Sequence, residues 1–118
     1  YTKFKEMTDI QKITQELIKF RDQRDWKQFH DTKNLATALS IEAAELNELF
    51  LWKNSNESEN IDPSRLKEEL ADILSYAFLI AERHQFDIPQ IMLDKIKKNG
   101  IKYPVQKTKG KSTKYNQL

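Results

Sequence analysis

Residues 34–52 read NLATALSIEAAELNELFLW, and this stretch decides the fold. Side chains on an α-helix follow one another at steps of about 100°, so one face collects every third or fourth residue. That face holds Leu35, Leu39, Leu46 and Leu49, all within about 40° of Leu35. The spacing predicts an amphipathic helix over residues 34–52. Glu42 falls at about 20° from Leu35, so a carboxylate lies inside the apolar stripe.

Three further helices are predicted on either side, over residues 8–24, 62–85 and 87–100. Thr8 and Gln11 form a capping box, and Asp62 followed by proline is a good helix start. Asn99 and Gly100 suit the end of the last helix. We expect an ordered loop at residues 25–32, a linker at residues 53–61 and little regular structure beyond Pro104.

The fold class is therefore all-α, with a four-helix bundle-like subunit. The predicted core includes the two phenylalanines of the helices and the apolar stripe of the third helix: Phe20, Phe78, Leu66, Leu70, Ile73, Ala77 and Ile80. His84 is expected on the surface.

The composition limits what kind of protein this is. A chain of 118 residues suits one domain, here residues 1–118, with a helical body at about 8–100 and a basic tail at about 101–118. The absence of Cys excludes thiolate metal ligands and is compatible with a reducing cytoplasm. No apolar run approaches the roughly 20 residues of a membrane span, so no membrane partner is expected.

Charge is distributed unevenly along the chain. Residues 95–118 hold eight Lys and no acid. Because the whole chain carries +2, residues 1–94 carry −6. A basic end of this kind fits a solvated tail, a set of phosphate contacts or a nucleic-acid arm.

Two pairs of acids lie on or beside apolar stripes. Glu45 lies at the edge of the stripe that contains Glu42. In the next long helix Glu69 and Asp72 are three residues apart with Tyr76 between them in projection, whereas Glu68 points about 100° away. A buried carboxylate needs a proton or a partner, and a divalent cation can serve two pairs at once.

The chemistry of these ligands favours Mg²⁺. Four carboxylates without Cys or a nearby His suit a hard cation. Acids spaced three apart also occur on solvated helix faces, paired with Lys or Arg, so that alternative stays open. A di-iron bundle would need Glu-x-x-His on two helices, and neither His30 nor His84 follows a Glu at that spacing.

The chain resembles the all-α nucleoside triphosphate pyrophosphohydrolases of the MazG-like superfamily, and within them the dCTP pyrophosphatase branch. The likeness spans about residues 10–118. It is carried by the two acidic pairs together with the segments RDWKQFHDTKNLATALSIEAAELNELFLWK, LKEELADILSYAFLIAERHQFDIP, KIKKNGIKYP and GKSTKY.

The resemblance implies an oligomeric enzyme, a homodimer or homotetramer, that uses Mg²⁺ to cleave a deoxynucleoside triphosphate into the monophosphate and pyrophosphate. Its implied metal ligands are Glu42, Glu45, Glu69 and Asp72, and one of the three glutamates would be the water-activating base. Its implied nucleotide contacts are Trp26, Lys27, Gln28, Phe29, His30, Trp52 and Tyr76. Lys95, Asn99 and the tail lysines are weaker candidates for sugar and phosphate contacts.

One position departs from the branch. Animal members have a base-contacting His where this chain has Leu17, and loss of a polar group there can shift base preference. The leading substrate is therefore dCTP or a 5-substituted dCTP, with dUTP or a broad set of dNTPs as the alternative. A non-catalytic helical module that binds nucleic acid through the Lys-rich tail is the alternative of another class; we do not expect a nucleic-acid partner.

Overall fold

The computed structural model describes residues 6–112 of the chain. Over that range the structure is all-α, as predicted, with six α-helices, one 3₁₀ turn and no strand. The helices are α1 Asp9–Gln23, α2 Thr32–Glu48, α3 Ser55–Glu59, α4 Pro63–Arg83, α5 Ile88–Lys102 and α6 Val105–Thr108, and the 3₁₀ turn is Lys27–Phe29.

The helix starts lie where the capping residues predict them. The Thr8 hydroxyl accepts from the Gln11 amide at 3.2 Å while the Gln11 side chain accepts from the Thr8 amide at 2.9 Å, which completes the capping box of α1. Asp62 accepts from the Ser64 amide at 3.0 Å at the start of α4. Such side chains satisfy amides that have no partner within the helix, so they define its first turn.

The helix ends and connections differ from the prediction. α2 ends at Glu48 and not at residue 52, and α5 runs past Gly100 to Lys102. The predicted linker contains α3, and the predicted irregular tail contains α6. Short helices of four or five residues carry too little apolar periodicity to be found by pattern, so their signals are only a cap such as Asn54.

The first part of the chain is built around α2 and α4, which pack along each other. Thr32 at the start of α2 bonds His84 at the end of α4, with 2.7 Å between the Thr32 hydroxyl and His84 Nε2, so the two helices are antiparallel. α1 contacts α4 as well. The buried apolar side chains in this part are Leu35, Leu49, Leu79 and Ala81.

Two predicted core positions are wrong on α4. Leu66 and Leu70 are exposed, whereas Ile73, Ala77 and Ile80 are half-buried. Helical periodicity finds the apolar face of a helix but does not show how much of that face the chain itself covers.

The chain divides into two compact units, the first ending at Gln85 and the second beginning at Phe86. The second unit contains α5 and α6. Assignment of the whole chain to one domain stays a prediction. Among residues 6–112, no helix has both the length and the apolar character needed to cross a membrane.

Candidate active site

A cluster of carboxylates forms where α2 and α4 face each other. Oxygens of Glu42, Glu69 and Asp72 all lie within 4.8 Å of one another. Glu42 and Glu69 are half-buried, and Asp72 is exposed. As the helical projection predicts, Glu68 is the more exposed of the two adjacent glutamates. These acids lie close together because α2 and α4 pack antiparallel and each carries an acidic pair.

Two of these oxygens have no hydrogen bond. Glu42 Oε2 and Glu69 Oε2 are buried and find no partner among the residues that the structure describes. A buried carboxylate oxygen without a donor is costly. Oxygen ligands that converge from several carboxylates are the set that hard cations such as Mg²⁺ and Ca²⁺ prefer. The three side chains therefore fit a divalent metal ion.

Electrostatics place Glu45 beside the cluster as well. Burial, followed by the neighbouring Glu45, Asp72 and Glu69, raises the pKa of Glu42 to about 7. Burial and then Glu45 also raise the pKa of Glu69. Glu45 itself is exposed, which differs from the inward orientation predicted for both acids of its pair. Its charge nevertheless acts on both half-buried glutamates.

A cavity of about 250 Å³ lies next to the carboxylates. Asp72 and Tyr76 belong to its wall, so the cavity is continuous with the acidic cluster. Burial and then the charges of Glu42, Asp72 and Glu45 raise the pKa of the Tyr76 hydroxyl, which places that hydroxyl near the acids. The remaining lining residues are Leu17, Phe20, Arg21, Trp26, His30, Ser75 and Leu79.

The aromatic wall of the cavity is held by local contacts. The Trp26 ring lies 5.8 Å from Phe20 in an edge-to-face arrangement and 6.3 Å from His30. The Trp26 amide donates to the Arg21 carbonyl at 3.1 Å, which ties the turn after α1 back onto the helix. Arg24 lies over the Phe20 ring at 3.6 Å. The face of an aromatic ring such as Trp26 can stack a nucleobase.

His30 has an unusual environment in this wall. Its Nδ1 is buried and has no hydrogen-bond partner within residues 6–112. Burial and then the positive charge of Arg21 lower the pKa of His30, so its ring is neutral at pH 7. A neutral ring can donate or accept one hydrogen bond to a bound molecule, depending on its tautomer.

The other predicted nucleotide contacts lie outside this cavity. The Gln28 side chain bonds to Asp25, and Phe29 is exposed. Lys27 lines a neighbouring cavity of about 300 Å³, which shares Arg21, His30 and Leu79 with the first. Trp52 is 91% exposed in the turn after α2 and has a φ of 62°. The structure of this chain therefore brings together Leu17, Trp26, His30 and Tyr76 in one cavity, while Lys27 joins His30 only in the neighbouring cavity.

The weaker candidates belong to the second unit. Lys95 and Asn99 lie on α5, where Lys95 is exposed and Asn99 is half-buried. Tail lysines 107, 109 and 111 follow, whereas Lys114 and the end of the GKSTKY segment lie outside the described residues.

Four residues of the cavity wall were not found from the sequence, and one of them is the buried Leu79. Phe20 was predicted in the core but is 49% exposed and lines the cavity. Arg21 is 6% exposed and donates to Asp22 at 2.9 Å and Glu82 at 3.1 Å. Its position four residues after Leu17 puts a charge beside an apolar stripe, which is the same signal that singled out Glu42. The fourth is Ser75, whose signal was its place three residues after Asp72.

Comparison with known proteins identifies the family. The model of the MazG-like family matches residues 37–118. dCTP pyrophosphatase 1 of Bos taurus is 39% identical over 117 residues, which cover 95% of this chain and 68% of that protein. The Homo sapiens protein of the same name is 38% identical and is covered over 67% of its length. Among solved structures, a pyrophosphatase from Archaeoglobus fulgidus aligns with a TM-score of 0.80 and 32% identity, covering 87% of this chain and 99% of that one.

These matches confirm the resemblance that the acidic pairs and the flanking segments indicated. The chain belongs to the MazG-like family.

Proposed function

We propose that this protein is a Mg²⁺-dependent hydrolase that cleaves a deoxynucleoside triphosphate into the monophosphate and pyrophosphate. The observation that carries the proposal is the pair of buried carboxylate oxygens without partners, Glu42 Oε2 and Glu69 Oε2, beside a cavity with an aromatic wall. The dCTP pyrophosphatase names of its relatives support the same reaction.

The carboxylates would hold the metal and handle the proton. Glu42, Glu69 and Asp72 supply the converging oxygens. When bound, Mg²⁺ offsets charge on the triphosphate and activates water. Glu45 lies outside the group of three converging oxygens and interacts with both Glu42 and Glu69, so it is one candidate to accept a proton from water. Glu42 and Glu69 are the other candidates for that role.

The cavity would hold the base. A pyrimidine can stack on Trp26 and lie against Leu17. Asp72 and Tyr76 line the same cavity on the side of the carboxylates, where the phosphates would lie. We propose dCTP or a 5-substituted dCTP as the preferred substrate, with dUTP or a broad set of dNTPs as the alternative.

The test is pyrophosphate release from each dNTP and NTP, with and without Mg²⁺. Glu42→Gln and Asp72→Asn should each reduce kcat/KM at least about a hundred-fold, since loss of a metal ligand removes charge stabilisation in the transition state. Glu68→Gln is the matched control because Glu68 is an exposed acid on α4, the helix that also carries Asp72. Full activity in both ligand variants would sink the assignment.

We further propose that the protein works as a homodimer or homotetramer. Several large apolar side chains on the long helices of the first unit are exposed, which a neighbouring copy would cover. They are Ile13, Phe20, Ile41, Leu70 and Leu74. The cytoplasmic location expected from the absence of Cys stays a prediction. A nucleic-acid role of the basic tail is the alternative that we do not expect. That alternative would be favoured if the protein bound oligonucleotides with an affinity that falls as salt is added and that Glu42→Gln leaves unchanged.

A further inference from the structure

We propose that Ser75 determines base specificity by accepting a hydrogen bond from the exocyclic amino group of the substrate's base. This inference rests on the proposed function and names the residue that distinguishes between its candidate substrates. Ser75 lies three residues after Asp72 and directly before Tyr76, so it shares the wall of the cavity with a proposed metal ligand and a proposed nucleotide contact.

The hydrogen-bonding state of Ser75 is defined by its own helix. Its Oγ lies 2.8 Å from the Ala71 carbonyl oxygen. A carbonyl can only accept, so the hydroxyl must donate its single proton there. The lone pairs of Oγ are then what Ser75 offers to a molecule in the cavity, and it acts as an acceptor.

Two other lining groups, the His30 ring and the Tyr76 hydroxyl, can each act as donor or acceptor, so Ser75 is the uncharged group whose own helix fixes it as an acceptor. Leu17, Phe20 and Leu79 have no polar side-chain atom. Arg21 is a donor and is already bound to Asp22 and Glu82. Asp72 lies in the metal cluster, where its oxygens converge with those of Glu42 and Glu69. An uncharged acceptor with its own proton already engaged can discriminate between bases that present a donor and bases that present an acceptor.

Pyrimidines differ at the group that such an acceptor reads. Cytosine carries an amino donor at position 4, whereas thymine carries a carbonyl acceptor there, and uracil shares that carbonyl. A carbonyl placed against the Ser75 lone pairs would lose its hydrogen bonds to water without gaining a donor, and that loss is costly. The wall therefore favours an amino-pyrimidine, although Leu17 provides no polar contact.

The experiment compares kcat/KM for dCTP and dUTP in the full chain with Mg²⁺. Ser75→Ala should lower the dCTP:dUTP ratio about five-fold, the size expected for one neutral hydrogen bond, mainly by slowing dCTP. Ser75→Thr keeps a hydroxyl that can make the same helical bond, so it should retain most of the preference. Ser58→Ala is the matched control, because the Ser58 hydroxyl donates to the Asn54 carbonyl at 2.8 Å in α3, away from the cavity wall.

A binding measurement separates recognition from turnover. The affinities for dCMP and dUMP should show the same loss of preference in Ser75→Ala, at unchanged melting temperature. If the wild type hydrolyses dCTP but Ser75→Ala keeps the wild-type preference in both assays, the role of Ser75 is overturned and the proposed function stands. A wild-type protein that releases pyrophosphate from no dNTP overturns the proposed function and this inference together.

Discussion

Glu42 shows how one side chain can link folding to metal binding. Its half-buried carboxylate lies among three other acids, and its pKa is raised to about 7 by burial first and by those charges second. Desolvation and like charges both disfavour the ionised form. Because the pKa in the folded protein exceeds the ordinary value of 4.5, the stability that the protonated form contributes is fully present below pH 4.5. It is lost as the pH rises through about 7.

The loss of stability with rising pH gives a prediction for the metal-free protein. Gln resembles the protonated acid, so Glu42→Gln should raise the melting temperature at pH 8 and change it little at pH 4.5. Added Mg²⁺ should stabilise the wild type more at pH 8 than at pH 5.5, because protons compete for the ligand oxygens. Thermal melts at these pH values with EDTA or Mg²⁺ measure both effects. Equal Mg²⁺ stabilisation at both pH values would contradict the argument.

Trp52 combines strain with exposure. A φ of 62° puts it in the left-handed region, where a bulky residue costs about 1–3 kcal/mol, and its side chain is 91% exposed. Strain of this kind is often kept at functional positions. Trp52→Gly should therefore raise the free energy of unfolding by about 1 kcal/mol and raise KM for the nucleotide if the ring contacts it.

Urea denaturation and steady-state kinetics would test the Trp52 prediction. Gln85→Gly is a suitable control, since Gln85 has a φ of 59° but no aromatic ring. The control should gain stability without a change in KM. A less stable Trp52→Gly protein would show that the ring makes contacts that outweigh the strain.

At the scale of the helices, an ion pair between the buried Arg21 and the half-buried Glu82 joins the ends of α1 and α4. Arg21 Nη1 lies 3.1 Å from Glu82 Oε2, and the exposed Asp22 takes a second N–H of the same guanidinium. Removal of one partner of a buried pair leaves an uncompensated charge, whereas replacement of both by apolar groups is often neutral. Arg21→Met should cost about 3 kcal/mol, and Arg21→Met/Glu82→Leu should recover most of that loss.

Denaturation curves of the two single variants and the double variant would measure this coupling. Because the Arg21 side chain also lines the cavity, we expect the double variant to bind nucleotide more weakly even where it is as stable as the wild type. Additive losses in stability would argue that the pair does not join the helices.

The helices also show which features a sequence can reveal. Helix starts were predictable because caps such as Asp62 act through bonds two or three residues away. The convergence of the acids was predictable because Glu42 lies on the stripe that faces α4. The exposure of Phe20 and the position of Ser75 in the cavity wall were not predictable, because they depend on the distance between α1 and α4. Periodicity contains no information about that distance.

At the scale of the whole molecule, α4 presents an exposed leucine stripe formed by Leu66, Leu70 and Leu74. These residues are four apart, so they follow one another along one side of the helix. Exposed apolar stripes on a soluble protein are typical of interfaces, since contact with another apolar surface removes them from water. We expect a second copy of the chain to cover this stripe.

Leu74→Glu should therefore shift the protein toward a smaller species at micromolar concentration, because a charge would have to be buried in the interface. Size-exclusion chromatography with light scattering measures the mass directly. Ser64→Glu adds the same charge at an exposed position near the start of α4 and should leave the mass unchanged. If the active site depends on a neighbouring copy, pyrophosphate release by Leu74→Glu should fall on dilution more steeply than release by Ser64→Glu. A wild type that is monomeric and fully active at nanomolar concentration would show instead that one chain forms the complete site and that the leucine stripe serves another contact.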